Sequence, residues 1–326
     1  MRSKKQPEIV ANATIRPLAK QGGIWYSKPG DFMNKKKLKS IILLLTATVI
    51  WGSAFIAQSV GNTIGPFTFQ TIRCFLAVAF LVPVIGVIDR TKGQSFVAGW
   101  TDKKLWKVGL LCGLALFVAA SLQQVGLVYT DAGKAGFITA MYIVLVPVCG
   151  LVLKQKPPVS ALIAIAVAVV GLYMLSCVGV SAINRGDLMV MGCALAFAVQ
   201  ITLVDRFAGD LDGVRLNCIQ AFICGTISIP FMISESPVMG EILQYWGPLA
   251  FAGVLSMGVA YTLQILGQKD LEPTPASLIM SLESVFAAIG AWLILKESMT
   301  SAELTGSALV FAAVLISQIP SPKPKG

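Results

Sequence analysis

Ten predominantly apolar runs follow one another along this chain, at 40–60, 66–88, 105–128, 133–153, 158–178, 187–207, 214–234, 246–267, 274–295 and 301–319. A helix rising 1.5 Å per residue needs ~20 such residues to cross a hydrocarbon core of ~30 Å. In lipid the backbone must satisfy its own N–H and C=O groups, so runs of this length and number predict helices. The expected fold is all-α and integral to the membrane, with ten transmembrane helices. Loops between the runs are short, the longest spanning Asp89 to Lys104. No extramembrane domain is left to hold a soluble site, and the helices must carry the function.

Composition narrows the function further. Apolar residues make up 56% of the 326 and charged residues 13%, and the net charge is +10. On a soluble surface that excess would point to nucleic acid, but here the charges sit between apolar runs. The bilayer is the expected partner and nucleic acid is not. The chain has no His, no Walker-type GxxxxGK[ST] loop and no CxxC pair. ATP-driven pumping and zinc chemistry lack their usual groups, and no cofactor is expected. Seven cysteines, Cys74, Cys112, Cys149, Cys177, Cys193, Cys218 and Cys224, lie in or at the ends of the runs. They read as small packing residues rather than a disulfide framework.

Lys and Arg are distributed unevenly between the two sides of the predicted bundle. Of 26, 22 share a side with the N-terminus, three (Lys134, Arg185 and Lys296) face the other side, and Arg73 lies inside the second run. The positive-inside bias then puts both termini in the cytoplasm. Residues 1–39 form a basic leader in which 1–32 are either disordered or untranslated, since Met33-Asn34-Lys35-Lys36-Lys37 reads as a natural start. Residues 320–326 are a short cytoplasmic tail.

Shifting the chain by 141 residues lays 119–176 on 260–317 without a gap, and eleven of the 58 positions are identical, Gln123/Gln264 and Gly126/Gly267 among them. Runs 3–5 therefore repeat as runs 8–10. Because five crossings reverse the chain's direction, the two halves, 40–178 and 187–319, are expected as inverted repeats, a common architecture of secondary transporters with a site near the midplane.

Four motifs carry a resemblance. Trp51-Gly52-Ser53-Ala54-Phe55, Phe69-Gln70-Thr71-Ile72-Arg73, Thr130-Asp131-Ala132-Gly133-Lys134-Ala135-Gly136-Phe137, and Leu282-Glu283-Ser284-Val285-Phe286-Ala287-Ala288 running on to Leu295-Lys296-Glu297 resemble, in order, the EamA family of the drug/metabolite transporter superfamily. The resemblance covers 38–319. It implies a ten-helix bundle of two inverted five-helix repeats in a bacterial cytoplasmic membrane, moving small metabolites such as amino acids, usually outward. Ser284 stands where many relatives carry a proline, so a helix break there is not implied.

Polar groups inside the runs are the candidate site. An ionisable side chain in a membrane helix is costly, and two qualify. Glu283 sits at mid-depth, suited to binding and releasing a proton or to holding an amine or cation; the alternative is a neutral carboxyl bridging helices. Arg73 cannot usefully deprotonate. Its partner is a substrate carboxylate, Glu283, helix-end carbonyls or the outer headgroups, and a structural or gating role is favoured. The repeat pairs Gln123 with Gln264 and Tyr142 with Glu283, so both pairs are expected near the centre. Tyr261 shares a face with Gln264, and Gln200 and Trp51 are expected to complete the lining. Runs 5 and 10 are expected outside the cavity. Gly109-x-x-x-Gly113 marks a close crossing within the chain, a homodimer contact being the alternative. The leading function is a secondary exporter working by alternating access, with an uncoupled facilitator or channel, or a membrane-embedded lipid enzyme, as alternatives.

Overall fold

The computed structural model describes residues 35–154, 157–176, 183–295 and 300–319. The leader before Lys35, Cys177, Lys296, Glu297 and the tail 320–326 lie outside the described residues. The helices are α1 (Lys35–Gly61), α2 (Pro66–Lys92), α3 (Lys103–Gly126), α4 (Ala132–Ala140), α5 (Tyr142–Val152), α6 (Val159–Ser176), α7 (Arg185–Phe207), α8 (Gly213–Ser234), α9 (Met239–Gln244), α10 (Trp246–Ala250), α11 (Tyr261–Gly267), α12 (Pro273–Met280), α13 (Glu283–Leu295) and α14 (Ser301–Ser317). Among the described residues seven helical stretches are long and apolar enough to cross a membrane, and two shorter apolar helices, Val159–Leu175 and Ser301–Ser317, stand beside them. Large apolar side chains such as Val87, Leu162, Leu195 and Leu315 are half or more exposed on the outside of the bundle. Such a surface needs lipid as its solvent.

Helix starts follow local chemistry. Asp102 and Asp212 accept from backbone N–H groups at the starts of α3 and α8. Asn184 with Asp187 and Thr300 with Glu303 form capping boxes on α7 and α14. The start of α2 borrows its cap from far away in sequence. Gly65 turns the chain at φ +96, a conformation in which a Cβ would be strained. Glu235 at the end of α8 then accepts from the N–H groups of Phe67 (3.0 Å) and Thr68 (2.7 Å) and from the Thr68 hydroxyl (2.7 Å). A carboxylate there also meets the positive end of the helix dipole.

Two of the ten predicted runs are interrupted. The fourth changes from α4 to α5 at Met141 and the ninth from α12 to α13 at Ser281 and Leu282. At both points the bonds tighten to three-residue spacing, Met141 N to Ile138 O and Leu282 N to Ile279 O, each 3.1 Å. Met141 and Leu282 correspond under the 141-residue shift. The ninth run is thus broken even with Ser284 in place of proline. The eighth run is continuous but holds a π-helical segment, Phe251–Ala260, between α10 and α11. The wider π turn loosens the main-chain ladder, and Asn217 of α8 reaches it, its amide nitrogen lying 3.0 Å from Met257 O, 2.9 Å from Gly258 O and 2.9 Å from Thr262 Oγ1.

Packing partners recur in exchanged form. α3 packs on α7 and α1 on α11; α1 packs on α13 and α7 on α4 and α5; α3 packs on α8 and α2 on the π segment; α2 packs on α8 and α6 on α14. Glycines set the closest crossings. A Cβ on Gly171 would lie 2.8 Å from Gly306 O, and one on Gly306 would lie 2.5 Å from Gly171 O, so α6 and α14 touch backbone to backbone. The Gly109 and Gly113 pair faces Ile219 and Ile223 of α8, a crossing within the chain.

Buried ion pairs close each end of the bundle. At one, Arg215 at the start of α8 pairs with Asp89 near the end of α2 and with Asp212 (2.6 Å). Trp100 covers its guanidinium, with the ring centroid 5.5 Å away. At the other, Lys134 of α4 pairs with Asp187 of α7 at 2.6 Å, and the Thr130 hydroxyl donates to the same carboxylate at 2.6 Å. Burial makes these pairs costly to split, because a lone charge left behind has no solvent.

Candidate functional site

A cavity lies where α1, α2, α3, α4, α5, α7, the π segment, α11, α12 and α13 converge. Of the eight residues singled out in the sequence, seven line it: Trp51, Arg73, Gln123, Tyr142, Tyr261, Gln264 and Glu283. Gln200 does not. Its side chain is fully buried behind the lining, where Oε1 accepts from Gln264 Nε2 at 3.0 Å and Nε2 donates to Gln220 Oε1 at 3.3 Å. Its helix does contribute, through Phe197 and the adjacent Ile201, but the Gln200 side chain itself turns into the amide network instead of the cavity. Neither α6 nor α14 contributes to the lining.

The helix break brings Glu283 to the first position of α13, where Tyr142, the first residue of α5, donates its hydroxyl to Glu283 Oε1 at 3.3 Å. The two residues related by the repeat therefore meet. Ser284 beside them donates to Gly136 O of α4 at 3.1 Å, holding the two broken helices together. Gly52 makes room for this corner, since α1 lies against the backbone of Glu283, Phe286 and Ala287.

Arg73 is 4% exposed. Its Nη1 donates to Gln58 Oε1 at 2.7 Å, and Nε (2.9 Å) and Nη2 both donate to Gln70 Oε1. It reaches neither Glu283 nor the outer surface, and among the described residues it has no ion pair. A guanidinium carries five N–H groups, so the amides fix its plane while leaving donors for something else. Gln58 is held in turn by Gln124, whose Nε2 donates to Gln58 O at 3.0 Å and to Asn62 Oδ1 at 2.7 Å. Gln123 Nε2 donates to Thr139 Oγ1 at 3.2 Å. Trp51 meets Tyr261 edge-on, with ring centroids 5.1 Å apart.

Sequence reasoning missed Gln58, Gln70, Asn217, Gln220 and Gln268. A signal existed for three of them. Gln70 lies one turn before Arg73, and Asn217 and Gln220 are one turn apart in an otherwise apolar run, a spacing at which side chains touch.

Residues 38–177 and 184–318 each match the model of the EamA-like transporter family. The chain belongs to this family. As an EamA-like protein it is a multi-pass membrane transporter. An uncharacterized transporter of Archaeoglobus fulgidus is 31% identical over 283 residues, covering 86% of each chain. The threonine/homoserine exporter RhtA of Escherichia coli is 24% identical over 287 residues, 85% of this chain and 90% of its own length. A solved crystal structure, 15% identical, superposes with a TM-score of 0.71 over 85% of this chain and 95% of the other, a likeness of fold alone.

Proposed function

We propose that this EamA-like chain is a secondary transporter that exports small zwitterionic metabolites, amino acids foremost, across the bacterial cytoplasmic membrane by alternating access, with Glu283 coupling transport to protons. In this reading ten crossings form two inverted five-helix repeats, 40–178 and 187–319, with both termini cytoplasmic. Support comes from the 141-residue repeat, the double match to the family model, the exchanged packing partners and the helix breaks at corresponding residues. The exporters of threonine and homoserine among its relatives are in keeping with the direction and the substrate class.

One observation carries the substrate class. Among the described residues, Arg73 and Glu283 are the only Lys, Arg, Asp or Glu residues that line the cavity. A guanidinium with donors to spare takes a carboxylate, and a carboxyl takes an ammonium group or, between substrates, a proton. The ends of an amino acid match that pair. Binding of the substrate amine and binding of a proton at one carboxyl would then exclude each other, which is the minimal form of exchange coupling.

The test is flux of a radiolabelled amino acid in proteoliposomes, with and without an imposed pH gradient, for wild type and Glu283→Gln. The variant keeps size and much of the hydrogen bonding but cannot titrate. Loss of gradient-driven uphill flux in a correctly assembled Glu283→Gln protein is expected. Unchanged flux and unchanged pH dependence would make the carrier an uncoupled facilitator and Glu283 a structural residue.

A further inference from the structure

We propose that Trp51 and Gln264 form a hydroxyl-recognition subsite in the cavity, so that the transported amino acids carry a hydroxyl on the side chain. The proposal rests on the reading of the cavity as an amino-acid site and adds what selects among amino acids. Among the described residues, two buried polar atoms on lining residues have no hydrogen-bond partner, Trp51 Nε1 and Gln264 Oε1. Trp51 leans edge-on against Tyr261. Tyr261 and Gln264 lie three residues apart on α11, a spacing that puts them on one face. The two residues that carry the unpaired atoms thus both neighbour Tyr261 in the lining.

The identity of the free Gln264 atom follows from the network behind it. Amide oxygen and nitrogen are assigned by their partners, and here both ends of the chain of amides are anchored on backbone carbonyls, which only accept. Gln268 Nε2 donates to Ile201 O at 3.1 Å, so Gln268 Oε1 must face Gln264 and accept from its Nε2 at 3.0 Å. From the other end, Asn217 Nδ2 faces Met257 O and Gly258 O, so its Oδ1 accepts from Gln220 Nε2 at 2.8 Å. Gln220 Oε1 in turn accepts from Gln200 Nε2, and Gln200 Oε1 from Gln264 Nε2. Both directions fix Gln264 with its nitrogen spent and its oxygen free. Gln264 is 2% exposed, so the acceptor has no bulk solvent.

An indole N–H only donates and an amide oxygen only accepts. An ammonium group would satisfy Gln264 and repel Trp51; a carboxylate would do the reverse; a methyl would satisfy neither. A hydroxyl donates to Gln264 Oε1 and accepts from Trp51 Nε1 through one oxygen. Threonine and valine are nearly isosteric and differ by that group, so the pair isolates the effect. Sites built to hydrogen-bond a substrate hydroxyl reject the analogue without it far more strongly than apolar sites reject an added one.

The experiment measures uptake of labelled threonine and of labelled valine by proteoliposomes, for wild type and Trp51→Phe, together with competition of each against the other in wild type. Wild type should favour threonine about tenfold or more, the equivalent of ~1.4 kcal/mol or more. Trp51→Phe, which keeps an aromatic ring and removes the donor, should bring the ratio to within about threefold, a residual of ~0.6 kcal/mol. The competition needs no variant and stands if Trp51→Phe assembles poorly. Equal handling of threonine and valine by wild type would overturn the hydroxyl subsite while leaving amino-acid transport intact. A ratio unchanged in Trp51→Phe would overturn the role of Trp51. Failure to move or bind either amino acid would overturn the amino-acid reading and the subsite with it.

Discussion

Gly52 is where a single methyl group should separate packing from function. A Cβ there would lie 2.7 Å from Ala287 N and 2.8 Å from both Glu283 O and Phe286 C, whereas ordinary contact begins at 3.4 Å. All three atoms are backbone and cannot swing aside, so α1 and α13 must part by ~0.6 Å, an overpacking that costs ~1–3 kcal/mol. Alanine's higher helix propensity returns up to ~1 kcal/mol. Gly290, on α13 itself, is the control, because a Cβ there meets nothing within 4 Å among the described residues; it collects the propensity gain without the clash. Gly290→Ala should match or exceed wild type in thermal unfolding in detergent, and Gly52→Ala should fall below Gly290→Ala by the full ~1–3 kcal/mol. The displaced carbonyl belongs to the residue that carries the carboxyl, and the 3.3 Å Tyr142 bond is near the limit of useful length. Flux per assembled protein should therefore drop in Gly52→Ala and not in Gly290→Ala. Equal unfolding midpoints, or full flux in Gly52→Ala, would refute the reasoning.

Two further outcomes are expected. With single cysteines in a Cys-less background, an impermeant thiol reagent should reach position 240 from outside intact cells and should not reach position 101; the reverse pattern would invert the topology. Asn217→Leu removes the amide that meets the carbonyls of the π segment, leaving buried acceptors unmet at ~1–3 kcal/mol. A lower unfolding midpoint together with altered labelling of a cysteine at Ser256, which lines the cavity, would show that this amide sets the register; a change in stability alone would limit it to stability.

Much of the architecture could be read from the chain because hydrophobic length and charge bias act residue by residue. The apolar runs gave the helices, and the 141-residue shift brought Tyr142 and Glu283 together before any geometry was known. The breaks at Met141 and at Ser281 and Leu282 were not legible, since no proline or glycine stands at either point. The π segment was hidden for a different reason. Its stabilising partner, Asn217, belongs to another helix, so nothing in 246–267 announces it. Gln200 was misplaced because polarity reveals that a side chain needs a partner and does not say whether the partner is a ligand or another amide. Only the hydrogen-bond network separates the two.

The backbone contact between α6 and α14 has a mechanical consequence. These helices come from opposite halves of the sequence, run alongside each other and contribute nothing to the cavity. Side chains cannot repack where Gly171 and Gly306 let main chain touch main chain, so the halves stay riveted there. In the proposed alternating-access cycle, opening the cavity at either end is then a swing about that seam and not a parting of the halves. Displacement grows with distance from a fulcrum, so in that proposed cycle a few degrees at the seam would become ångströms at Arg73 and Glu283, with the ion pairs at the two ends of the bundle as the stops of a lever.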